Sequence, residues 1–385
     1  MKRYIICLIL ASFALSCTSK ENIFNYNLHS SGNYYSIPTK GSINPYTYYL
    51  TCYEENDSAW IFYGNSNLNE LIIFTYPEGL LYKRIKFERD GPQGIGGYRG
   101  VHVHNLDSIF VVSATYVDRF FLTDTSGVIK NKYQVSDVLN SGMHPCIKPL
   151  YNFISNVANV HNNQINLSCY YPYGDENNEA LPNEILDFTY DLEKDSIVSY
   201  SLYPEFSFKT ARNLSKFSRA YNDHEYIYSL DYSDNIFYKN QDGEYITKPN
   251  KSVKSDKRLN NTDPDNRYLP INIQMKHLAE NPQYYSLIFD KYRNCYYRFF
   301  YLGTKVEDID NVQKSWEYPE QFSIMILNDK LEIIGETIFP TKKYNPFMSF
   351  ICKDGLFIAL HIDNPLYDHD QLPFERIDLA KIEND

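Results

Sequence analysis

GVHVHNLDSIFVVSATYVDRFFLTDTSGVIKNKYQV, residues 100–135, is the stretch that decides the fold. Its aliphatic and aromatic residues come in short runs that are typical of β-strands, and turn-forming residues separate the runs. Asn and Asp suit tight turns because their side chains bond to the neighbouring backbone, and Gly127 suits the positive φ of a hairpin turn. The stretch therefore predicts four short antiparallel strands in succession.

This strand–turn–strand pattern recurs along the chain. Similar hairpins begin near Thr47, Leu71, Phe153, Ile185, Phe217, Asn235, Tyr284, Phe322 and Phe347. Their repetition predicts an all-β fold, a six-bladed β-propeller of four-stranded antiparallel blades. The last blade lacks a fourth strand, and we expect the N-terminal strand at residues 34–37 to supply it and close the ring. A pair of β-sandwiches is the alternative architecture.

The N-terminus predicts export. Lys2 and Arg3 precede an apolar run that is too short to span a membrane as a helix. Residues 1–16 are therefore expected to be a signal peptide, and Cys17 follows Ala-Leu-Ser as in a bacterial lipobox. Lipidation of Cys17 would make residues 17–33 a tether to the outer membrane, and residues 34–385 a single propeller domain. The alternative is an ordinary cleaved signal with a chance cysteine.

Composition narrows the classes of partner. The net charge of −11 becomes more negative once Lys2 and Arg3 are removed, which argues against nucleic acid as a partner. The 37 tyrosines fit either a stacking surface for sugars and peptides or the general β-propensity of tyrosine. The cysteines beyond Cys17 are odd in number, so they cannot form a complete disulfide framework, and most are expected to be small buried side chains.

Loop lengths predict the binding face. In a propeller, connections between second and third strands lie at the same end as connections between blades. The long connections of this chain nearly all fall in those two classes, whereas the other turns are short. Binding residues concentrate on long loops of rigid scaffolds, so we expect a protein, peptide or glycan partner on this long-loop face. The membrane is expected to be contacted only through the lipid anchor.

Candidate ligand-binding residues are named from these patterns. His102 and His104 share one face of a strand and could bind a metal with His144 or His161, or simply line a wet channel. Arg298 stands in mid-strand among aromatic residues, where a structural ion pair between blades competes with ligand contact. The full candidate set is Tyr98, Arg99, His102, His104, His144, Tyr268, Arg298 and Trp316.

No cofactor is expected from the motifs. Asp-x-Asp pairs at residues 263–265, 308–310 and 368–370 leave calcium or another divalent metal open, although each pair alone is typical of a turn. The glycine-rich run at residues 91–97 lacks the context of a phosphate loop and predicts a turn between blades. No catalytic motif is present. A binding module is thus the leading hypothesis, and a hydrolase or lyase using carboxylates or a His-bound metal is the alternative.

Several motifs resemble known propellers. GPQGIGG at residues 91–97 and DSIFVVS at residues 107–113 are similar to segments of six-bladed NHL-like and TolB-like propellers. The lipobox-like start and DKYRNCYYRF at residues 290–299 resemble domain-of-unknown-function family 4221 of gut-bacterial lipoproteins. The resemblance implies a propeller fold over most of the mature chain, and it assigns no catalytic residue.

Overall fold

The computed structural model describes residues 24–39, 43–47, 49–116, 118–135, 146–147, 156–170, 185–204, 217–255, 270–307 and 312–382. The expected signal peptide and Cys17 lie outside these ranges, as do the basic segment at residues 256–267 and several of the long connections.

The described residues are mainly β-strand. In chain order the strands are β1 (Tyr26–Pro38), β2 (Leu50–Glu55), β3 (Ser58–Asn65), β4 (Glu70–Tyr76), β5 (Leu81–Lys86), β6 (Tyr98–Asn105), β7 (Ser108–Ser113), β8 (Arg119–Thr123), β9 (Asn131–Gln134), β10 (Cys146–Ile147), β11 (Asn159–His161), β12 (Gln164–Tyr170), β13 (Ile185–Asp191), β14 (Ser196–Leu202), β15 (Phe217–Tyr221), β16 (Tyr226–Leu230), β17 (Asn235–Lys239), β18 (Tyr245–Pro249), β19 (Gln283–Asp290), β20 (Cys295–Tyr301), β21 (Phe322–Leu327), β22 (Ile333–Ile338), β23 (Tyr344–Cys352), β24 (Gly355–Leu360) and β25 (Gln371–Lys381).

Helices are few in the described ranges. They are α1 (Ile271–Glu280) and α2 (Val312–Glu317), with a 3₁₀ turn at Ser66–Leu68. Residues 271–280, which precede Pro282, have a sequence that could form a short helix, and this prediction is confirmed as α1. Neither α-helix among the described residues has the length and apolar character needed to cross a bilayer.

The strands form five mainly antiparallel sheets, which together make a propeller-like fold. Four sheets stand separately, as blade I (β2–β5), blade II (β6–β9), blade III (β10–β14) and blade IV (β15–β18). The remaining strands form one eight-stranded sheet in the order β19-β20-β21-β22-β1-β25-β24-β23. Apart from β1 and β22, neighbouring strands within each sheet pair antiparallel, as the repeated hairpins predict.

The expectation of six separate blades was wrong in one respect. The structure has four separate blades and one eight-stranded sheet, because β1 is longer than the sequence suggested. β1 begins at Tyr26 rather than at Tyr34, and Tyr26 pairs in parallel with Gly335 of β22. This pair joins the two halves of the sheet, together with hydrogen bonds from the Asn25 N–H to the Ile334 carbonyl and from the Leu28 N–H to Thr337 Oγ1. The expected tether therefore includes strand residues from Tyr26 to Asn33.

The pairing of the N-terminal strand with the last strand is confirmed. β1 runs antiparallel to β25 over almost its whole length, with Tyr35 opposite Phe374 and Ile37 opposite Leu372. Tyr35 and Ile37 are buried. The N-terminus thus supplies the strand that the C-terminal meander lacks, and covers the edge of β25.

Hydrophobic clusters join each sheet to the next. Buried pairs that mark these clusters are, in order around the fold, Phe62 with Val111, Phe120 with Tyr190, Leu186 with Phe237, Ile236 with Phe300, and Phe350 with Ile61. The last cluster returns to blade I, so the sheets form a closed circle. Burial of these apolar surfaces is the main force that holds neighbouring sheets together.

Asn and Asp side chains close the tight turns, as expected from turn chemistry. Asp191 Oδ1 accepts hydrogen bonds from two backbone N–H groups of its own turn, at 3.1 and 3.0 Å. Asn222 and Asp290 do the same at the ends of β15 and β19. Because these residues tie the turns into a fixed shape, the strands after them start in register.

Candidate functional site

The long-loop face is the end of the strands where connections between second and third strands meet connections between blades. Its described connections include residues 87–97, 302–307 with 312–321, and 361–370. By contrast, β2–β3, β6–β7 and β23–β24 are joined by tight turns at the opposite end. In the described ranges, this agrees with the loop asymmetry seen in the sequence.

Five tyrosines gather on this face and form what we call the tyrosine cluster: Tyr46, Tyr63, Tyr98, Tyr318 and Tyr367. They come from different parts of the fold, the segment before β2, the end of β3, the start of β6, and the connections after β20 and β24. The rings of Tyr46 and Tyr318 are 5.8 Å apart. Burial raises the pKa of Tyr63 well above its usual range, and the nearby hydroxyls of Tyr367, Tyr318 and Tyr98 raise it further.

The cluster has a buried base and a partly exposed top. Tyr46, Tyr63 and Tyr98 are buried, and the Tyr63 hydroxyl donates to the carbonyl of Asn44. Tyr318 and Tyr367 are half-buried, so part of each ring faces solvent. Burial, with Asp368 as a second cause, raises the pKa of Tyr367 to about 12, so its hydroxyl stays neutral at physiological pH. Tyrosines held in this way present an apolar ring together with a hydroxyl that can donate or accept.

The exposed top continues along the connection between β24 and β25. The His369 ring meets the Tyr367 ring edge-on at 5.3 Å, and His369 is exposed. The neighbouring Leu366 is 67% exposed, which is the largest value among the big hydrophobic side chains of the described residues. Aromatic and aliphatic surface thus lies open on one loop of the long-loop face.

A charged network borders the tyrosine cluster. Lys314 Nζ lies 3.1 Å from Asp363 Oδ1, and Lys342 Nζ lies 2.9 Å from Glu320 Oε1 and 3.8 Å from Asp363 Oδ2. These ion pairs connect three separate loops of the face. Exposed ion pairs contribute little stability, so their main effect here is to place both signs of charge beside the aromatic surface.

His361 fixes the loop beneath this network. The side chain is buried, its Nδ1 accepts from the backbone N–H of Asp363 at 3.0 Å, and its Nε2 lies 3.2 Å from the Tyr318 carbonyl oxygen. This pattern requires the proton on Nε2 of a neutral ring. Burial lowers the pKa of His361, which keeps the ring neutral at pH 7. The ring therefore links the two loops that carry Tyr318 and Tyr367.

The sequence-predicted residues separate in the structure. Tyr98 belongs to the tyrosine cluster, whereas His102 lies lower on β6, and burial lowers its pKa to about 3, with His104 and Arg219 as further causes. His102 Nε2 is buried and has no hydrogen-bond partner among the described residues. No group of three His, Cys, Asp or Glu that could hold a metal occurs in the described ranges.

One of the Asp-x-Asp pairs and the glycine-rich run lie in the described part. The Asp370 N–H donates to Asp368 Oδ1 at 2.9 Å, which is the geometry of a turn. Residues 91–97 also form a turn between blades, as predicted, in which the N–H of Gly94 donates to the carbonyl of Gly91.

Arg298 is fully buried between blade IV and the eight-stranded sheet. Its Nε donates to Ser229 Oγ at 2.9 Å, Nη1 to the Asn250 carbonyl at 2.6 Å and Nη2 to the Ser233 carbonyl at 2.6 Å. Longer contacts of 3.4 Å reach Asn250 Oδ1 and the Asn235 carbonyl, and the guanidinium lies 3.5 Å from the Tyr284 ring centroid. All five N–H donors thus have partners within the protein, and these partners are neutral oxygens rather than the carboxylate of the expected ion pair.

The other candidates are not placed by the structure. Cys17, His144 and Tyr268 lie outside the described residues, and the side chains of Arg99 in β6 and Trp316 in α2 are likewise outside them.

Sequence reasoning missed four members of the tyrosine cluster. Tyr46, Tyr63, Tyr318 and Tyr367 were counted only in the overall tyrosine content. A signal was available, because each stands at the long-loop end of an expected strand or within a long connection. Combining residue type with the expected end of the strand would have selected them.

Comparisons with known proteins agree with this fold. The profile of the family of unknown function DUF4221 matches residues 25–338. The crystal structure of a DUF4221 member from Bacteroides vulgatus has 22% identity and a TM-score of 0.75, and the alignment covers 93% of this chain and 99% of that chain. A Bacteroides fragilis protein inferred to be exported has 12% identity and a TM-score of 0.52, over 91% of this chain and 95% of that chain.

These structural likenesses concern the fold alone, since both identities are low. No curated protein matches the chain. The family profile covers most of the sequence and includes strands of every sheet. The chain therefore belongs to the family of unknown function DUF4221.

Proposed function

We propose that this protein is a binding module that takes a peptide or glycan on its long-loop face, with the tyrosine cluster as the contact surface. The observation that carries the proposal is the arrangement of Tyr318 and Tyr367. Both rings are half-buried, held by neighbouring loops, and bordered by cations and carboxylates. Rigid, partly exposed tyrosines bind at low entropic cost and combine stacking with hydrogen bonding.

The charged border favours a polar ligand. Lys314 and Lys342 can donate to acidic or hydroxyl groups, and Glu320 and Asp363 can accept from amides or sugar hydroxyls. A purely apolar partner would leave these four groups desolvated without new hydrogen bonds. Oligosaccharides and polar peptides satisfy both the rings and the charges.

The module is a six-bladed propeller in this proposal, with the eight-stranded sheet counted as two blades. β19–β22 and β23–β25 with β1 are each a four-stranded meander. The two meanders are joined by one strand pair, Tyr26 with Gly335, and by hydrogen bonds from Asn25 and Leu28 of the N-terminal segment to β22, whereas each has extensive pairing inside. This short connection supports counting them as two blades.

The proposed cellular location is the bacterial cell envelope. Residues 1–16 act as a signal peptide, and Cys17 carries the lipid that anchors the protein at the outer membrane. The lipobox-like sequence supports this, and so does the description of the Bacteroides fragilis neighbour as exported. β1 begins at Tyr26, which leaves residues 18–25 between Cys17 and the sheet.

Thermal unfolding of the purified protein with a panel of soluble oligosaccharides and cell-wall peptides tests the binding role. A ligand that binds the native state raises the midpoint. Tyr367→Ala and Tyr318→Ala should each weaken binding about tenfold, the usual effect of removing one well-packed aromatic contact. Tyr200→Ala is the matched control, because Tyr200 is 57% exposed on the outer strand β14 of blade III.

Two outcomes would contradict the proposal. Equal loss of binding in Tyr200→Ala and Tyr367→Ala would move the site away from the long-loop face. Conversion of a panel compound, detected as product by mass spectrometry, would favour the hydrolase or lyase alternative.

A further inference from the structure

Two cysteines meet where the C-terminal meander contacts the first blade. Cys52 is in β2, the first strand of blade I, and Cys352 is the last residue of β23 in the eight-stranded sheet. The strands β2 and β23 pack against each other, and both cysteines belong to the same hydrophobic cluster. They are separated by most of the chain, so no spacing pattern in the sequence connects them.

The two thiols are neighbours across these packed strands, close enough for each to shift the pKa of the other. Cys169 is buried in a different cluster, and Cys295 shares the cluster of the pair but lies on β20, where its neighbours are Tyr297, Asp290 and Arg293. Among the cysteines that the structure describes, Cys52 and Cys352 are therefore the pair that lie side by side.

The surroundings differ for the two sulfur atoms. Cys52 is partly exposed, whereas Cys352 is buried. Hydrogen bonds from Cys52, the Tyr76 hydroxyl and the backbone N–H groups of Asp354 and Gly355 lower the pKa of Cys352, because each favours a thiolate at that sulfur. The same neighbour, Cys352, together with burial raises the pKa of Cys52. Cys52 is thus the thiol that solvent can reach, and Cys352 is the one that more readily becomes a thiolate and can act as an internal nucleophile.

We propose that Cys52 and Cys352 form a disulfide that locks blade I to the last meander of the fold. The oxidant is a small or protein disulfide, R–S–S–R. Cys52 loses its proton as its Sγ attacks one sulfur of the donor, which breaks the S–S bond of the donor, forms a mixed disulfide and releases R–S⁻. The Cys352 thiolate then attacks Cys52 Sγ, forms the internal disulfide and releases the second R–S⁻. The two thiol protons end on the two released thiolates, giving two R–SH.

The position gives this bond a specific effect. β2 is near the beginning of the described chain and β23 near its end, so the disulfide would close almost the whole propeller into one covalent loop. Closing a long loop restricts the unfolded chain strongly, and the cross-link also prevents blade I from separating from the last meander. The inference goes beyond the proposed binding function and does not depend on any ligand.

Peptide mapping of the purified full chain tests the proposal. The protein is incubated with oxidised glutathione or with dithiothreitol, free thiols are alkylated, and the chain is digested with trypsin without reduction. After oxidation, residues 41–83 should be linked to residues 344–353, the tryptic peptides that contain Cys52 and Cys352. After reduction, both peptides should appear alkylated and separate.

Thermal unfolding supplies the second measurement. Oxidation should raise the midpoint of the wild-type protein by several degrees, and of Cys295→Ala equally, because Cys295 lies outside the pair. Cys52→Ser should show no rise. A stable glutathione adduct on Cys52 without the cross-linked peptide would overturn the inference, as would a cross-link of Cys52 to any other cysteine. Because the peptide map uses the wild-type chain, the result does not depend on folding of a variant.

Discussion

Arg298 is the residue whose replacement should damage this fold most clearly. We consider Arg298→Met, which keeps much of the side-chain length and removes the guanidinium. Three of its hydrogen bonds are short, to Ser229 Oγ, the Asn250 carbonyl and the Ser233 carbonyl. In the variant, these three acceptors on blade IV stay buried and lose their donor.

The magnitude follows from two opposing terms. Each hydrogen bond to a charged group contributes about 1.5–3 kcal/mol, so three short bonds give roughly 5–9 kcal/mol before any offset. The burial of the cation opposes this, and its cost is visible in the pKa of Arg298, which burial lowers to about 10. A buried acceptor that loses its donor costs about 1–3 kcal/mol, and relief of the buried cation offsets part of the sum over three acceptors, so we expect about 3–5 kcal/mol for Arg298→Met.

Urea unfolding followed by circular dichroism measures the effect. Arg119→Met is the matched control, because Arg119 forms a partly exposed ion pair with Asp118 at 3.2 Å and its loss should cost less than about 1 kcal/mol. If Arg298→Met changed the free energy of unfolding by no more than the control does, Arg298 would not be holding blade IV to the eight-stranded sheet. Arg298→Lys should fall between the two variants, since an ammonium cannot reproduce the planar fork.

Three further predictions concern pH, packing and the N-terminal strand. Burial lowers the pKa of His102 to about 3, so the folded state resists a proton that the unfolded state accepts near pH 6.5. The free energy of unfolding should therefore fall as the pH drops below 6.5, by up to about 1.4 kcal/mol per pH unit. The urea midpoints at pH 7 and pH 5 should differ less in His102→Gln than in the wild type, and an unchanged difference would contradict this. Gly335→Ala should lower the melting temperature by several degrees, since its Cβ would lie 2.2 Å from the Tyr26 carbonyl oxygen, whereas Gly97→Ala, with nothing nearer than 3.7 Å, should not. Deleting residues 24–33 should lower the melting temperature because five strand pairs with β25 are lost, and a chain as stable as the parent would show that β1 is effective only from Tyr34 onward.

The repeated hairpins could be predicted because their signals are local. The hairpin expected from Phe217 is found as β15 and β16, whose aromatic and aliphatic runs meet at a turn closed by Asn222. The same holds for α1, which the sequence ends before Pro282. Turn residues act on the backbone within a few positions, so a single sequence contains the information.

The start of β1 could not be predicted, because the interactions that make it a strand are not local in the sequence. Residues 26–33 are polar, and their alternation is weak, so they look like a tether. Their strand conformation comes from pairing with residues 377–381 at the other end of the chain. Tertiary pairing of this kind overrides local propensity, and it also joined two meanders into the eight-stranded sheet.

The candidate site, too, could be predicted only in part. The long-loop face could be predicted, because loop lengths are read directly from the repeat. The tyrosine cluster could not, since its members come from the segment before β2, from β3, β6 and two late connections. Ring closure brings the first blade beside the last meander, and only this places Tyr46 against Tyr318, or Cys52 against Cys352.

Buried arginines explain how such a face can keep its shape. Arg219 Nη1 donates to Asn166 Oδ1 at 2.6 Å and lies 3.5 Å from Asp187 Oδ2, which ties blade IV to blade III, while Arg298 ties blade IV to the eight-stranded sheet. Apolar contacts between blades tolerate small shifts, since they depend on area more than on direction. A desolvated guanidinium does not, because its donors need acceptors at fixed positions. We therefore infer that the arginines set the angle between blades, and through it the spacing of the loops that carry the tyrosine cluster.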